Sequence, residues 1–150
     1  MIKKVTLENL SSWSKLASQL WSTDKEELEE EFRQGAFPYE FLYDLSGQTV
    51  AFMSLSIRND YVEGAKSSPL AYLEGIYVLE DHQQQQIARR LLEYAKKWAQ
   101  EQGLDQIASD CLLNNAASQA FHQKLGFQEV SRSVHYILNL EGEDDERTIF

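Results

Sequence analysis

Hydrophobic and polar positions alternate over residues 2–7 (IKKVTL), and that period of two predicts a short strand. Over 8–21 the period lengthens: Leu10, Trp13, Leu16, Ala17 and Leu20 recur at helical spacing and form one apolar face. Residues 22–35 predict a second helix, with Ser22, Thr23 or Asp24 as N-cap, acids in its first turn and Gly35 as its stop. Residues 37–60 read as two strands about a tight turn at Ser46 and Gly47, and 61–69 as a loop of Gly, Ser and Pro. A long apolar strand follows at 70–80, interrupted by the pair Glu74 and Gly75; glycine inside a strand marks a bulge or a close backbone approach. From near Gln85 to about Gln102 a helix is predicted, with Ile87, Leu91, Leu92, Tyr94, Ala95 and Trp98 as its buried stripe and Gly103 as its stop. Then come a strand at 106–112, a helix at 114–126 closed by Gly126, a last long strand at 127–140, and an acidic, frayed tail at 141–150.

The resulting order is β-α-α-β-β-β-α-β-α-β in one domain of 150 residues. Antiparallel strands first, then strand alternating with helix, predict an α/β protein with a mixed sheet and helices on both faces. No internal repeat is present, and the one low-complexity element is the glutamine run 83–86.

Charge narrows the partners. The net charge of −10, from 24 acidic and 14 basic residues, argues against nucleic acid and disfavours an anionic membrane surface. It permits a cationic substrate, because a cleft lined by acids concentrates cations. The one cysteine, Cys111, allows no internal disulfide, which suits a reducing compartment; beside a strand it reads as a small core residue rather than a catalytic thiol. No run approaches the ~20 apolar residues of a membrane span, and the first ten residues lack the apolar core of a signal peptide. A cytoplasmic protein is expected, and no residue set suggests a metal.

Chemistry concentrates in two stretches. The first is the strand–turn–helix from Tyr72 to Ala95, containing EDHQQQQIARRLLEYA. A helix N-terminus offers unpaired N–H groups and the positive end of its dipole to an anion, although most such termini bind nothing. In the second, Asn115, Ser118, Phe121, His122, Gly126 and Phe127 stand at offsets 0, 3, 6, 7, 11 and 12. Together the two stretches resemble the GNAT superfamily of N-acetyltransferases. Its cofactor turn reads Arg/Gln-x-x-Gly-x-Gly/Ala, and Gln83, Gln86 and Ala88 take those places. Its second helix reads Asn-x-x-Ala-x-x-aliphatic-Tyr before Gly-Phe. The segments RNDYVEG (58–64), SSPLAYLEGIYV (67–78) and ASDCLLNNAASQAFHQKLGF (108–127), with Trp21, resemble the bacterial aminoglycoside 6'-N-acetyltransferases.

That resemblance implies a mostly antiparallel GNAT sheet, acetyl-coenzyme A as co-substrate, an aminoglycoside as acceptor, and a homodimer in which the last strand is an interface element. It implies that Ile76, Tyr77 and Val78 present backbone groups to the pantetheine arm, with the Val78 N–H facing the thioester carbonyl. Gln83, Gln84, Gln85, Gln86, Ile87, Ala88 and Arg89, with Arg89 or Arg90 adding charge, would hold the pyrophosphate. Asn115 would bond the pantetheine amide, with Ser118 and Phe121 beside it. Glu74 would bind the substrate ammonium and relay its proton, and Asp110 would be a second anionic anchor and a candidate base. Trp21 and Tyr61 would face the sugar ring, with Asp60, Glu63 and Glu40 as minor rim acids. Two positions depart from the family pattern. Gln86 replaces a glycine, at no cost if its φ is near −60°. His122 replaces a tyrosine, and stands either as proton donor to the leaving thiolate or as an uncharged packing residue. Two other readings remain beside this one: acetylation of another amine, such as a polyamine or a protein N-terminus, and non-catalytic acyl-coenzyme A binding.

Overall fold

A computed structural model describes residues 1–66, 68–83 and 86–141. Its strands are β1 (Ile2–Lys4), β2 (Tyr39–Leu45), β3 (Gln48–Arg58), β4 (Leu70–Val78) and β5 (Ile107–Ser109). They form one sheet in chain order, antiparallel from β1 to β4 and parallel between β4 and β5. The turn between β2 and β3 has positive φ at both Ser46 (52°) and Gly47 (80°), the backbone sense that matches strand twist in a tight hairpin. A parallel neighbour for β4 requires a crossover, and helix α3 (Ile87–Glu101) supplies it.

Helices α1 (Leu10–Trp21) and α2 (Lys25–Arg33) cover one face of the sheet. Leu10, Trp13, Leu16, Ala17 and Leu28 pack there on Leu42 and Phe52. The side chain of Asp24 caps α2 by accepting from the Glu27 N–H. On the opposite face Leu91, Leu92, Ala95 and Trp98 of α3 pack on Phe41, Ala51, Met53 and Leu55. Burying each of the two leucines contributes about 2 kcal/mol. Helices therefore lie on both faces of a mixed sheet, as the sequence pattern predicts.

Four details differ from that pattern. Tyr94 is 39% exposed rather than buried; its ring edge meets Phe41 at 5.1 Å while the phenol end stays wet. Strand β5 is three residues long rather than seven, because the chain leaves the ladder at Asp110. Cys111, just beyond, is half-buried rather than a core residue. Residues 127–140 join no ladder, although Val130, Val134, Tyr136, Leu138 and Leu140 alternate as a strand requires; all five are exposed. Alternation states which side chains seek cover, and among the described residues these five remain largely uncovered, although Val130 lies against Gly64.

Candidate active site

The site begins with a defect in the sheet. In the β3–β4 ladder Ser54 faces Gly75 and Leu55 faces Leu73, so Glu74 has no partner and bulges. The adjacent glycine has its own reason. A Cβ at Gly75 would lie 2.9 Å from Leu20 Cδ2 and 3.0 Å from the Trp21 ring, so only glycine lets Trp21 lie against β4. Trp21 stacks on Phe37 at 5.6 Å and 16°, which fixes its indole plane. Together these residues wall a cavity of about 380 Å³ whose polar lining is Glu40, Ser54, Ser56 and Glu74.

Glu74 accepts from Ser56 Oγ at 2.5 Å and from both Arg58 Nε (3.2 Å) and Arg58 Nη2 (2.9 Å). The guanidinium carbon of Arg58 also lies 3.4 Å from the centroid of the Tyr72 ring, a cation–π contact. Tyr72 in turn donates its hydroxyl to Asp110. Burial, and then the hydrogen bond to Asp110, push the Tyr72 phenol well above its ordinary range. The two acids expected from the sequence, Glu74 and Asp110, are thus the ends of one chain of contacts running through Arg58 and Tyr72.

Glu40 is the opposite case. It is 1% exposed, although the sequence suggests a rim acid. Its Oε1 accepts from Trp13 Nε1 at 2.9 Å and its Oε2 from Ser54 Oγ at 2.7 Å. Burial pushes its carboxyl up to about 8, helped by the Glu74 charge and opposed by the Ser54 and Trp13 hydrogen bonds.

A second feature adjoins this cavity. Strand β5 pairs only with Ala71, Tyr72 and Leu73. Beyond them the β5-facing edge of β4, from Glu74 through Ile76 and Tyr77 to Val78, has no strand among the described residues. An extended polar arm fits such an edge as one more strand would. The edge leads to the N-terminus of α3. Gln83 Nε2 holds the Val78 carbonyl at 3.1 Å, joining strand to turn. Gln86 is the α3 N-cap and makes no side-chain cap, which leaves the first-turn N–H groups of Ile87, Ala88 and Arg89 for an outside acceptor. Its φ is +62°, not the helical value at which glutamine is free of cost. The left-handed backbone that a glycine adopts easily is kept here at a cost of roughly 1–2 kcal/mol. Strand edge and helix terminus together fit the pantetheine and pyrophosphate portions of coenzyme A. Gln84 and Gln85 lie outside the described residues.

Helix α4 (Ala116–Lys124) follows β5 and reaches it through His122. Asn115 is its N-cap, accepting from the Ser118 N–H at 3.0 Å. Phe121 packs against the α3-side core. His122 Nδ1 lies 2.7 Å from the Ser118 carbonyl oxygen, so Nδ1 carries the hydrogen. Its Nε2 lies 2.8 Å from Ser109 Oγ, which places the ring against β5. Arg89 reaches the Lys124 carbonyl at 3.2 Å and Arg90 the Tyr43 hydroxyl at 2.9 Å, so each guanidinium already has an acceptor within the fold.

The structure therefore brings Trp21, Glu74 and, through Tyr72, Asp110 together. It does not bring the loop residues Asp60, Tyr61 and Glu63 into the cavity wall. Tyr61 is 78% exposed and donates to Glu63 at 3.2 Å. Sequence reasoning misses Arg58, Tyr72, Trp13 and Ser54. The signal available for Ser54 and Ser56 is two serines at alternate positions in an otherwise apolar strand.

The sequence profile described as the acetyltransferase (GNAT) family matches residues 6–127. The chain is 40% identical over 134 residues to an aminoglycoside N(6')-acetyltransferase type 1 of Serratia marcescens, covering 86% of this chain and 92% of that one. It is 35% identical over 138 residues to the enzyme of that name from Acinetobacter haemolyticus, covering 90% and 95%. The crystal structure of apo AAC(6')-IG from Acinetobacter haemolyticus superposes with a TM-score of 0.86 at 35% identity, over 94% of this chain and 99% of that one. AAC(6')-Iy, in complex with the bisubstrate analogue CoA-S-monomethyl-acetylneamine, superposes with a TM-score of 0.84 at 31% identity, over 93% and 97%. Profile, relatives and fold agree: the chain belongs to the GNAT family of acetyltransferases.

Proposed function

We propose that the protein transfers an acetyl group from acetyl-coenzyme A to the 6'-amino group of aminoglycosides and so confers resistance. The observation that carries this reading is the meeting of an open strand edge with a cavity floored by carboxyl groups. Acetyl-coenzyme A, when bound, supplies the activated acetyl group. Ile76 to Val78 bind its arm by backbone groups, the α3 terminus takes its phosphates, and Asn115 and Ser118 border it. The cavity takes the drug: Glu74 anchors the ammonium, Asp110 holds a second positive group, and Trp21 faces the sugar ring. Transfer is direct, with both substrates held in a ternary complex, and His122 stands on the thiol side. Removing one positive charge from the drug weakens its attraction to ribosomal RNA phosphates.

The protein works in the cytoplasm, and among the described residues no helix is long and apolar enough to cross a membrane. It forms a homodimer through residues 127–140, whose alternating apolar side chains are exposed in one chain and are covered by a second copy. Sedimentation of the whole protein should give twice the chain mass, and a monomer removes that part of the proposal. Release of free thiol on mixing protein, acetyl-coenzyme A and kanamycin tests the activity. Release only with spermidine or a peptide assigns another amine, and cofactor binding without release for any amine assigns a non-catalytic binder.

A further inference from the structure

Glu74 is already committed to partners within the fold. Both of its oxygens are already occupied by Arg58, and Ser56 adds a third donor. A carboxylate so held is fixed in position and serves as an anchor. The amine nevertheless must lose a proton before it can act as a nucleophile. The cavity holds one other carboxyl group, Glu40, and its surroundings differ in kind.

Glu40 is contacted by two neutral donors, Trp13 and Ser54. An indole N–H can only donate, whereas a serine hydroxyl donates or accepts according to need. Ser54 lines the cavity beside Glu40, and its hydroxyl, hydrogen-bonded to Glu40 Oε2, can pass a proton between that carboxyl and whatever occupies the open space. From this geometry we propose that Glu40, acting through the Ser54 hydroxyl, is the group that takes the proton from the substrate ammonium. This inference rests on the proposed acetyl transfer.

The step balances as a relay. One ammonium N–H bond breaks and its proton joins Ser54 Oγ as the original Ser54 O–H proton passes to Glu40 Oε2. The products are a neutral amine, an intact serine and a protonated Glu40. The reverse relay resets the site by returning the proton to solvent through the open cavity. Burial favours the protonated form of Glu40 and pushes it up to about 8, so the carboxyl becomes available as a base as pH rises through that value. The groups around Glu40 are Trp13 from α1, Ser54 and Ser56 from β3 and Glu74 from β4. Of these Glu74 is the one whose charge acts on Glu40, and Arg58 is paired with it.

Two measurements test the relay. In the wild-type protein the indole N–H resonance of Trp13 should move with pH as Glu40 ionises, and in Glu40→Gln it should stay still. In steady-state kinetics with kanamycin, Glu40→Gln should lose roughly tenfold or more in kcat, with the KM for acetyl-coenzyme A unchanged. It should also lose the alkaline rise of the kcat–pH profile. Ser54→Ala keeps Glu40 and its Trp13 bond, so it should retain the indole titration and still lose turnover. A Glu40→Gln protein with wild-type kcat and pH profile overturns the proposal, as does a Ser54→Ala protein with full turnover. If Glu40→Gln does not fold, Ser54→Ala alone decides. A wild-type protein that acetylates no aminoglycoside overturns the functional reading itself, an outcome told apart from the others because it needs no variant.

Discussion

Glu40 and Glu74 open onto the same cavity from neighbouring parts of one sheet, yet they live in opposite surroundings. Glu74 sits on a bulge, exposed, with a guanidinium across both oxygens. Glu40 sits opposite Ser54 in a regular stretch of the β2–β3 ladder, buried, with only neutral donors. Residue type does not assign a role here; the partner does. An ion-paired carboxylate is an anchor that holds a cation in place, whereas the proposed relay draws on a carboxyl with neutral partners that burial pushes up.

The largest effect expected from breaking this contrast is on Glu74. Glu74→Ala should lower kcat/KM for kanamycin about a hundredfold, while acetyl-coenzyme A affinity by calorimetry stays within about threefold. An unchanged kcat/KM would remove Glu74 from the mechanism.

Next is the effect of Glu40 on stability. Its carboxyl is raised in the folded protein above the unfolded value, from 4.5 to about 8. Between those limits the folded state holds a proton that the unfolded chain has lost. The stabilising contribution is therefore full below the lower limit and is lost as pH rises through the upper one. Urea denaturation at pH 5, 7 and 9 should show the wild-type protein losing a few kcal/mol relative to Glu40→Gln across that window. Parallel curves for the two proteins would show that Glu40 is ionised throughout.

A smaller effect sharpens the cavity wall that the two acids share. Gly75→Ala pushes a methyl group into Leu20 and Trp21. The aminoglycoside KM should rise roughly tenfold, a cost of about 1.4 kcal/mol typical of overpacking. The fluorescence of Trp21 should shift at the same time.

The smallest effect lies farthest from the acids. Gln86→Gly relieves a left-handed backbone, so the melting midpoint should rise by an amount worth ~1 kcal/mol or less. Acetyl-coenzyme A affinity should change by less than about threefold. Complete loss of binding would show that the glutamine side chain, not the backbone, holds the cofactor.

Much of this was legible in the residues. Gly75 inside an apolar strand announces a bulge or a close approach, and the structure has both. The helices announce themselves by their stripes and caps, and the spacing from Asn115 to Phe127 points to the family. What was not legible is which way a strand residue faces. Glu40 lies among aromatic residues in YEFLYDL, and its burial depends on α1 bringing Trp13 over it from 27 residues away. Arg58 and Tyr72 were invisible for the same reason, since their importance comes from each other and from Glu74. Residues 127–140 show the converse: the alternation is clear, but a strand needs a neighbour, and the described residues do not provide one.

The half-zipped sheet has a consequence beyond catalysis. Strands β4 and β5 are joined over three residues at one end and part at the other. Whatever fills that fork adds backbone hydrogen bonds to the folded state alone. At a hundred times its dissociation constant such a ligand adds about 2.7 kcal/mol to stability. Under the proposed function that ligand is acetyl-coenzyme A, and the cell's pool of it then bears on how long each molecule survives proteolysis. A starved cell would hold fewer copies of the protein even at constant synthesis.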